Sequence, residues 1–255
     1  MNRIATLASQ VVSKSPSHSS AASQSAVKDR PDLPHALVGP LHYEKNYAYP
    51  LVIWLHGPNG DEGEIRHVIP HISLRNYVSI APRGTCRMRD GSLGFRWDQS
   101  DSSISRAEEN VMQCIEQARL SYHVAAHRIF IAGYRCGGTM AMRLALRHPE
   151  WFAGALSFDG GFPTGDAPLA NLEGARRLPL MIARGSESRS YPVETLCEEL
   201  RLFHAARMKV TVRLYPGDGE LTTKMLQDMD HWIMEQVTGQ RTAEEAYDSS
   251  LEESN

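Results

Sequence analysis

Gly133-Tyr134-Arg135-Cys136-Gly137 is the stretch whose residue types and spacing come nearest to doing chemistry. It follows the apolar run Ile129 to Ala132, which predicts a buried strand. It precedes Met140, Leu144 and Leu146, whose spacing predicts a helix. A strand, a tight glycine-flanked turn and a helix make the frame in which G-x-S-x-G presents a serine hydroxyl as a nucleophile. Arginine holds the third position here. A guanidinium stays protonated at any working pH and has no lone pair to attack with. Cys136 is the neighbouring nucleophilic group, and a thiol at a helix N-terminus can have a lowered pKa. Reading the turn one residue later puts Cys136 in third place but replaces its first glycine with Tyr134.

The elements that must position this turn are legible on both sides of it. Leu51 to Leu55 is a continuous apolar run ending in His56-Gly57, as a central parallel strand does. Tyr77 to Pro82 reads as the next strand. Ser102 or Ser103 can cap a helix carrying Ile104, Val111, Cys114, Ile115 and Ala118 on one stripe. The helix after the turn runs to about Arg147, before Pro149. Phe152 to Phe158 is a strand ended by Asp159-Gly-Gly161. A loop over 160–177 follows, then a strand from Leu178 to Ala183. Val193, Leu196, Cys197, Leu200 and Phe203 line a helix. Val210 to Tyr215 is the last strand, and Leu221, Met225, Met229, Trp232, Ile233 and Val237 line the final helix. Strands alternating with amphipathic helices predict an α/β architecture, a doubly wound and mainly parallel sheet with helices on both faces. Sites in such sheets lie at the carboxyl ends of the strands.

Residues 1–33 form a Ser/Ala-rich arm without apolar periodicity, 34–238 the folded domain and 239–255 an acidic tail; both ends read as disordered. Among 255 residues the net charge is −3, which favours neither nucleic acid nor an anionic membrane as partner. No run of about 18 apolar residues is present to span a bilayer. The cysteines at 86, 114, 136 and 197 lack metal-site spacing and imply reduced thiols in a cytoplasmic protein. No metal and no cofactor is expected.

Tyr47-Ala-Tyr-Pro-Leu-Val-Ile-Trp-Leu-His-Gly57, the glycine turn at 133–137 and Tyr215-Pro-Gly217 before a helix together resemble the phospholipase/carboxylesterase family of α/β-hydrolases, relatives of acyl-protein thioesterases and feruloyl-type esterases. The resemblance runs from about residue 37 to 238. It implies the α/β-hydrolase fold and a Ser, Asp and His triad in that order. The serine position is Arg135. The acid segment, H-G-x-x-D in the family, is Arg184-Gly-Ser-Glu-Ser188, so the acid position is Ser188. The base segment, Y-P-G-G-H-E, is Tyr215-Pro-Gly-Asp-Gly-Glu220, so the base position is Gly219. All three triad positions are replaced. The resemblance also places one oxyanion-hole N–H at Cys136 and the other at Pro58, which has none.

A hydroxyl needs an adjacent base, and the base an orienting acid. Glu187, beside the acid position, and Asp218 and Glu220, beside the base position, are the neighbours able to substitute. None of His56, His67, His71, His148, His204 or His231 follows the last strand at a base's distance. Three functions stay open. Arg135, Cys136, His56, Gly57 and Arg184, with Arg189 nearby, could hold a small anionic ligand at the helix N-terminus. Arg135 could instead pair with Glu187, Asp218 or Glu220 and plug the pocket of an interaction protein. Cys136 could serve an active carboxylic-ester hydrolase. The oligomeric state is not written in the sequence.

Overall fold

The computed structural model describes residues 33–88 and 93–239. The Ser/Ala-rich arm up to residue 32 and the acidic tail from 240 lie outside them.

In chain order the elements are β1 (His35–Val38), β2 (Tyr49–Leu55), α1 (Ile65–Ile72), β3 (Val78–Pro82), β4 (Cys86–Arg87), β5 (Phe95–Arg96), α2 (Asp101–Ser121), β6 (Val124–Tyr134), α3 (Cys136–Arg147), β7 (Gly154–Phe158), α4 (Leu172–Ala175), β8 (Leu180–Gly185), α5 (Val193–Ala205), β9 (Val210–Tyr215) and α6 (Thr223–Thr238). Seven strands form one sheet in the order β1-β3-β2-β6-β7-β8-β9. β1 is antiparallel to β3, and the other neighbours are parallel. The mainly parallel α/β sheet expected from the alternation of elements is present.

Side chains alternate across the sheet with the period of two that a pleated strand imposes. Leu51, Ile53 and Leu55 of β2 and Ile129 and Ile131 of β6 pack with α2, α3 and α5. Val52, Trp54, Phe130 and Ala132 from the same strands face α1 and α6. Both faces are therefore covered, and the two central strands read as unbroken apolar runs because each side has a helix layer to fill. Each fully buried Leu or Ile contributes roughly 1.5–3 kcal/mol. Among the described residues no helix is long and apolar enough to cross a membrane.

Several boundaries differ from the sequence reading. α2 begins at Asp101 with Ser100 in the cap position, ahead of Ser102 and Ser103. Ser103 is buried inside the helix, bonded to the Thr85 hydroxyl. β7 starts at Gly154, and β8 starts two residues later than expected and continues through Gly185. The 160–177 loop contains the short helix α4. Only Leu196 and Phe203 of the α5 set are buried, while Cys197 and Val193 are exposed. Leu221 precedes α6, whose first turn is capped by Thr222 accepting from the Met225 N–H at 3.2 Å.

Candidate functional site

The parallel strands β6, β7, β8 and β9 end side by side, and the segments that follow their carboxyl ends carry the site. β6 passes into α3 through the sharp turn at Arg135, which adopts φ 47° and ψ −115°. A left-handed backbone at a side chain this large is costly, on the order of 1–3 kcal/mol. The turn is held by the Arg135 N–H donating to Phe158 O at 2.7 Å, and by Arg135 O accepting from the Thr139 N–H at 2.9 Å. Its glycines answer to space. A Cβ on Gly133 would strike the Gly137 backbone, and one on Gly137 would strike the carbonyls of Leu55 and His56. The strained elbow is thus kept, with an arginine at its tip.

That arginine pairs with Asp159, which in the sequence only marks the end of a strand. Arg135 Nε lies 3.5 Å from Asp159 Oδ2, and the Asp159 side chain is 0% exposed. The guanidinium also sits over the Tyr134 ring, 5.1 Å from its centroid. Asp159 Oδ2 accepts from the Ser190 hydroxyl at 2.6 Å, and Ser190 is within 3.2 Å of Ser188 Oγ. On the other side a Cβ at Gly219 would collide with all three atoms of the Asp159 carboxylate. Positions 135 and 219 therefore flank a single buried carboxylate, and position 188 reaches it through Ser190. Asp159 has a left-handed backbone too, φ 53°. Two strained non-glycine residues in contact at adjacent strand ends mark a site whose geometry is imposed by its surroundings. The available signal for Asp159 was its type and place, a carboxylate at the carboxyl end of a central parallel strand.

The expected plug partners are corrected by this pairing. Glu187 and Asp218 are not bonded to Arg135 but line an open cavity with it. The cavity measures about 720 Å³ and is lined by Arg135, Glu187, Arg189, Ser190 and Asp218. Glu220 is exposed beside it in sequence but is not part of the lining.

Four of the five residues assigned to ligand binding are elsewhere. Arg184 is 3% exposed, and its guanidinium donates to the carbonyls of Tyr191, Ser186 and Ser188. It folds the 186–191 loop from beneath instead of charging the cavity. The Gly57 N–H is taken by the Glu64 carboxylate, at 3.3 Å from both oxygens, and Glu64 also accepts from Trp54 Nε1 at 2.8 Å. Cys136 packs partly buried against the α2–α3 side of the core, and burial pushes its thiol pKa up. The nearby backbone N–H groups pull the other way but are outweighed, so the lowered pKa expected at a helix N-terminus is reversed. Pro58 is exposed in the turn after Gly57 and brings no N–H.

His56 is wholly buried. Its Nε2 accepts from the Gly84 N–H at 2.9 Å, which leaves Nδ1 to carry the proton toward Gly57 O at 2.8 Å. Burial lowers its pKa, against the raising effects of the Gly57 carbonyl and Glu64. A lowered folded-state pKa means the unfolded chain binds the proton more readily. The His56 contribution to stability is thus complete above about pH 6.5 and is lost as pH falls below it. Histidine NMR is expected to show the His56 ring titrating below the usual 6.5, and a His56 titrating at or above 6.5 would contradict the assignment. Among the described residues no group of three or more His, Cys, Asp or Glu could hold a metal ion.

Residues 42–237 match the sequence profile of the family described as Phospholipase/Carboxylesterase. A probable carboxylesterase of Oryza sativa subsp. japonica is 24% identical over 203 residues, covering 71% of this chain and 76% of that protein. A SOBER1-like probable carboxylesterase of Arabidopsis thaliana is 22% identical over 219 residues, covering 77% of this chain and 82% of its own. The crystal structure of Arabidopsis thaliana SOBER1 superposes with a TM-score of 0.63 at 20% identity, over 74% of this chain and 100% of that one. A carboxylesterase from Mesorhizobium loti gives 0.60 at 19% identity, over 72% and 88%. These likenesses identify the fold as that of the α/β-hydrolases.

Proposed function

We propose, from the premise that this chain belongs to the phospholipase/carboxylesterase family, that it is a member without hydrolytic activity, in which a buried ion pair replaces the catalytic centre and the remaining cavity binds a small charged ligand. One observation carries this reading: the Asp159 carboxylate fills the space that a side chain at 219 would need, while paired to Arg135 at the elbow. A base at 219 and the present Asp159 exclude each other. The elbow residue offers no nucleophile, so neither half of the acyl-transfer pair is available.

The open cavity favours ligand binding over a sealed plug. Arg135 turns its Nε toward Asp159, and its terminal amino groups make no hydrogen bond among the described residues. They are free to receive an anionic group in bidentate fashion. The alternative, an ester hydrolase using Cys136, asks for a thiolate at a residue whose thiol burial keeps protonated and which does not line the cavity. Four free cysteines agree with a reducing, cytoplasmic setting.

Serine-reactive chemistry tests the reading. Intact-mass measurement after incubation with an alkyl fluorophosphonate is expected to show unmodified protein. A stoichiometric adduct on Ser186, Ser188 or Ser190 would reveal an activated serine and overturn it.

A further inference from the structure

The cavity beside Arg135 has a charge pattern that specifies more than an anion. Four of its five lining residues are charged, two of each sign. Arg189, Glu187 and Asp218 are exposed, and among the described residues none of them forms an ion pair with another lining residue. Opposite charges thus share one cleft without neutralising each other. Asp159 lies beneath, so the site sets two guanidinium groups against three carboxylates. A phosphate dianion would face this excess of negative charge. A ligand with one carboxylate and one ammonium leaves the balance unchanged and meets a partner at each end.

Two buried atoms are also left incomplete. Among the described residues Asp159 Oδ1 has no hydrogen-bond donor and Arg135 Nε no acceptor within bonding distance. A buried carboxylate oxygen without a donor is costly, and this one adds to the negative charge beneath the cavity floor that Arg135 only partly offsets. All five lining residues are polar, so an acyl chain would find no apolar wall here.

We infer that this cavity is a binding site for a small zwitterion of the amino-acid class, its carboxylate held by Arg135 and Arg189 and its ammonium by Glu187 and Asp218. The inference rests on the ligand-binding reading above and narrows it.

The full-length protein is titrated calorimetrically with the twenty free L-amino acids and with ω-amino acids of three to six carbons. The tightest of these is then compared with its deaminated and decarboxylated analogues. Saturable one-site binding is expected, with each singly charged analogue at least ~10-fold weaker, the factor that loss of one modest charge contact produces. The double variant Glu187→Gln, Asp218→Asn changes only exposed side chains and is expected to fold normally. In it the deaminated analogue should bind as well as the amino acid or better. Equal wild-type affinity for the amino acid and its deaminated analogue would overturn the zwitterion and leave an anion site. Binding of none of these amino acids would overturn the zwitterion, and failure of short-chain carboxylates and inorganic phosphate in the same titration would remove the ligand-binding reading as well.

Discussion

Arg135→Ala is expected to lower the unfolding free energy by about 3 kcal/mol, because it leaves a fully buried carboxylate without its counter-charge. Asp159 would keep only the Ser190 hydroxyl as a donor to Oδ2, with Oδ1 already unpartnered. The reverse change should cost less. In Asp159→Asn the Ser190 hydrogen bond can persist, and the guanidinium, 31% exposed, can turn toward the cavity and water. About 1 kcal/mol is a fair expectation for that variant. Urea denaturation of both single variants and the double variant gives the coupling directly, expected at about 1–3 kcal/mol. A loss below about 0.5 kcal/mol in Arg135→Ala, the ordinary range of a surface substitution, would mean that the pair does not hold the site together.

Gly219→Ala is the second large effect. Its backbone is left-handed, φ 88°, which alone costs an alanine on the order of 1 kcal/mol. Its methyl group would also overlap the Asp159 carboxylate, which is locked by Arg135 and Ser190. Overpacking adds roughly 1–3 kcal/mol. The combined loss should reach about 3 kcal/mol in wild type. In an Asp159→Ala background, where the collision is gone, it should shrink to the backbone term. Equal cost in both backgrounds would show that Asp159 does not occupy that space.

The sheet was legible because its chemistry is local. The apolar runs at 51–55 and 129–132 are strands covered on both faces, and the 133–137 turn announces itself through glycines that no other residue can replace. β1 and the β4–β5 pair escaped notice because elements of four and two residues carry too little periodicity. The α2 start was misplaced because Ser100, Asp101, Ser102 and Ser103 are all adequate cap types. The site was legible only as a set of losses. The arrangement around Asp159 depends on contacts between residues 135, 159, 190 and 219, far apart in sequence and brought together by the parallel order of β6, β7, β8 and β9. Arg184 shows the same limit. Its place near the acid segment suggested a cavity charge, but β8 continues through Gly185 and buries it against loop carbonyls. For Cys136 the helix terminus and burial act in opposite directions, and only the packing shows that burial prevails.

The most direct measurement is turnover of short-chain aryl esters by the purified protein, beside Cys136→Ala and a buffer control. A centre rebuilt around Arg135 and Asp159 predicts rates no greater than buffer for both proteins. Saturable wild-type turnover would contradict it, and its loss in Cys136→Ala alone would identify the protein as a cysteine hydrolase.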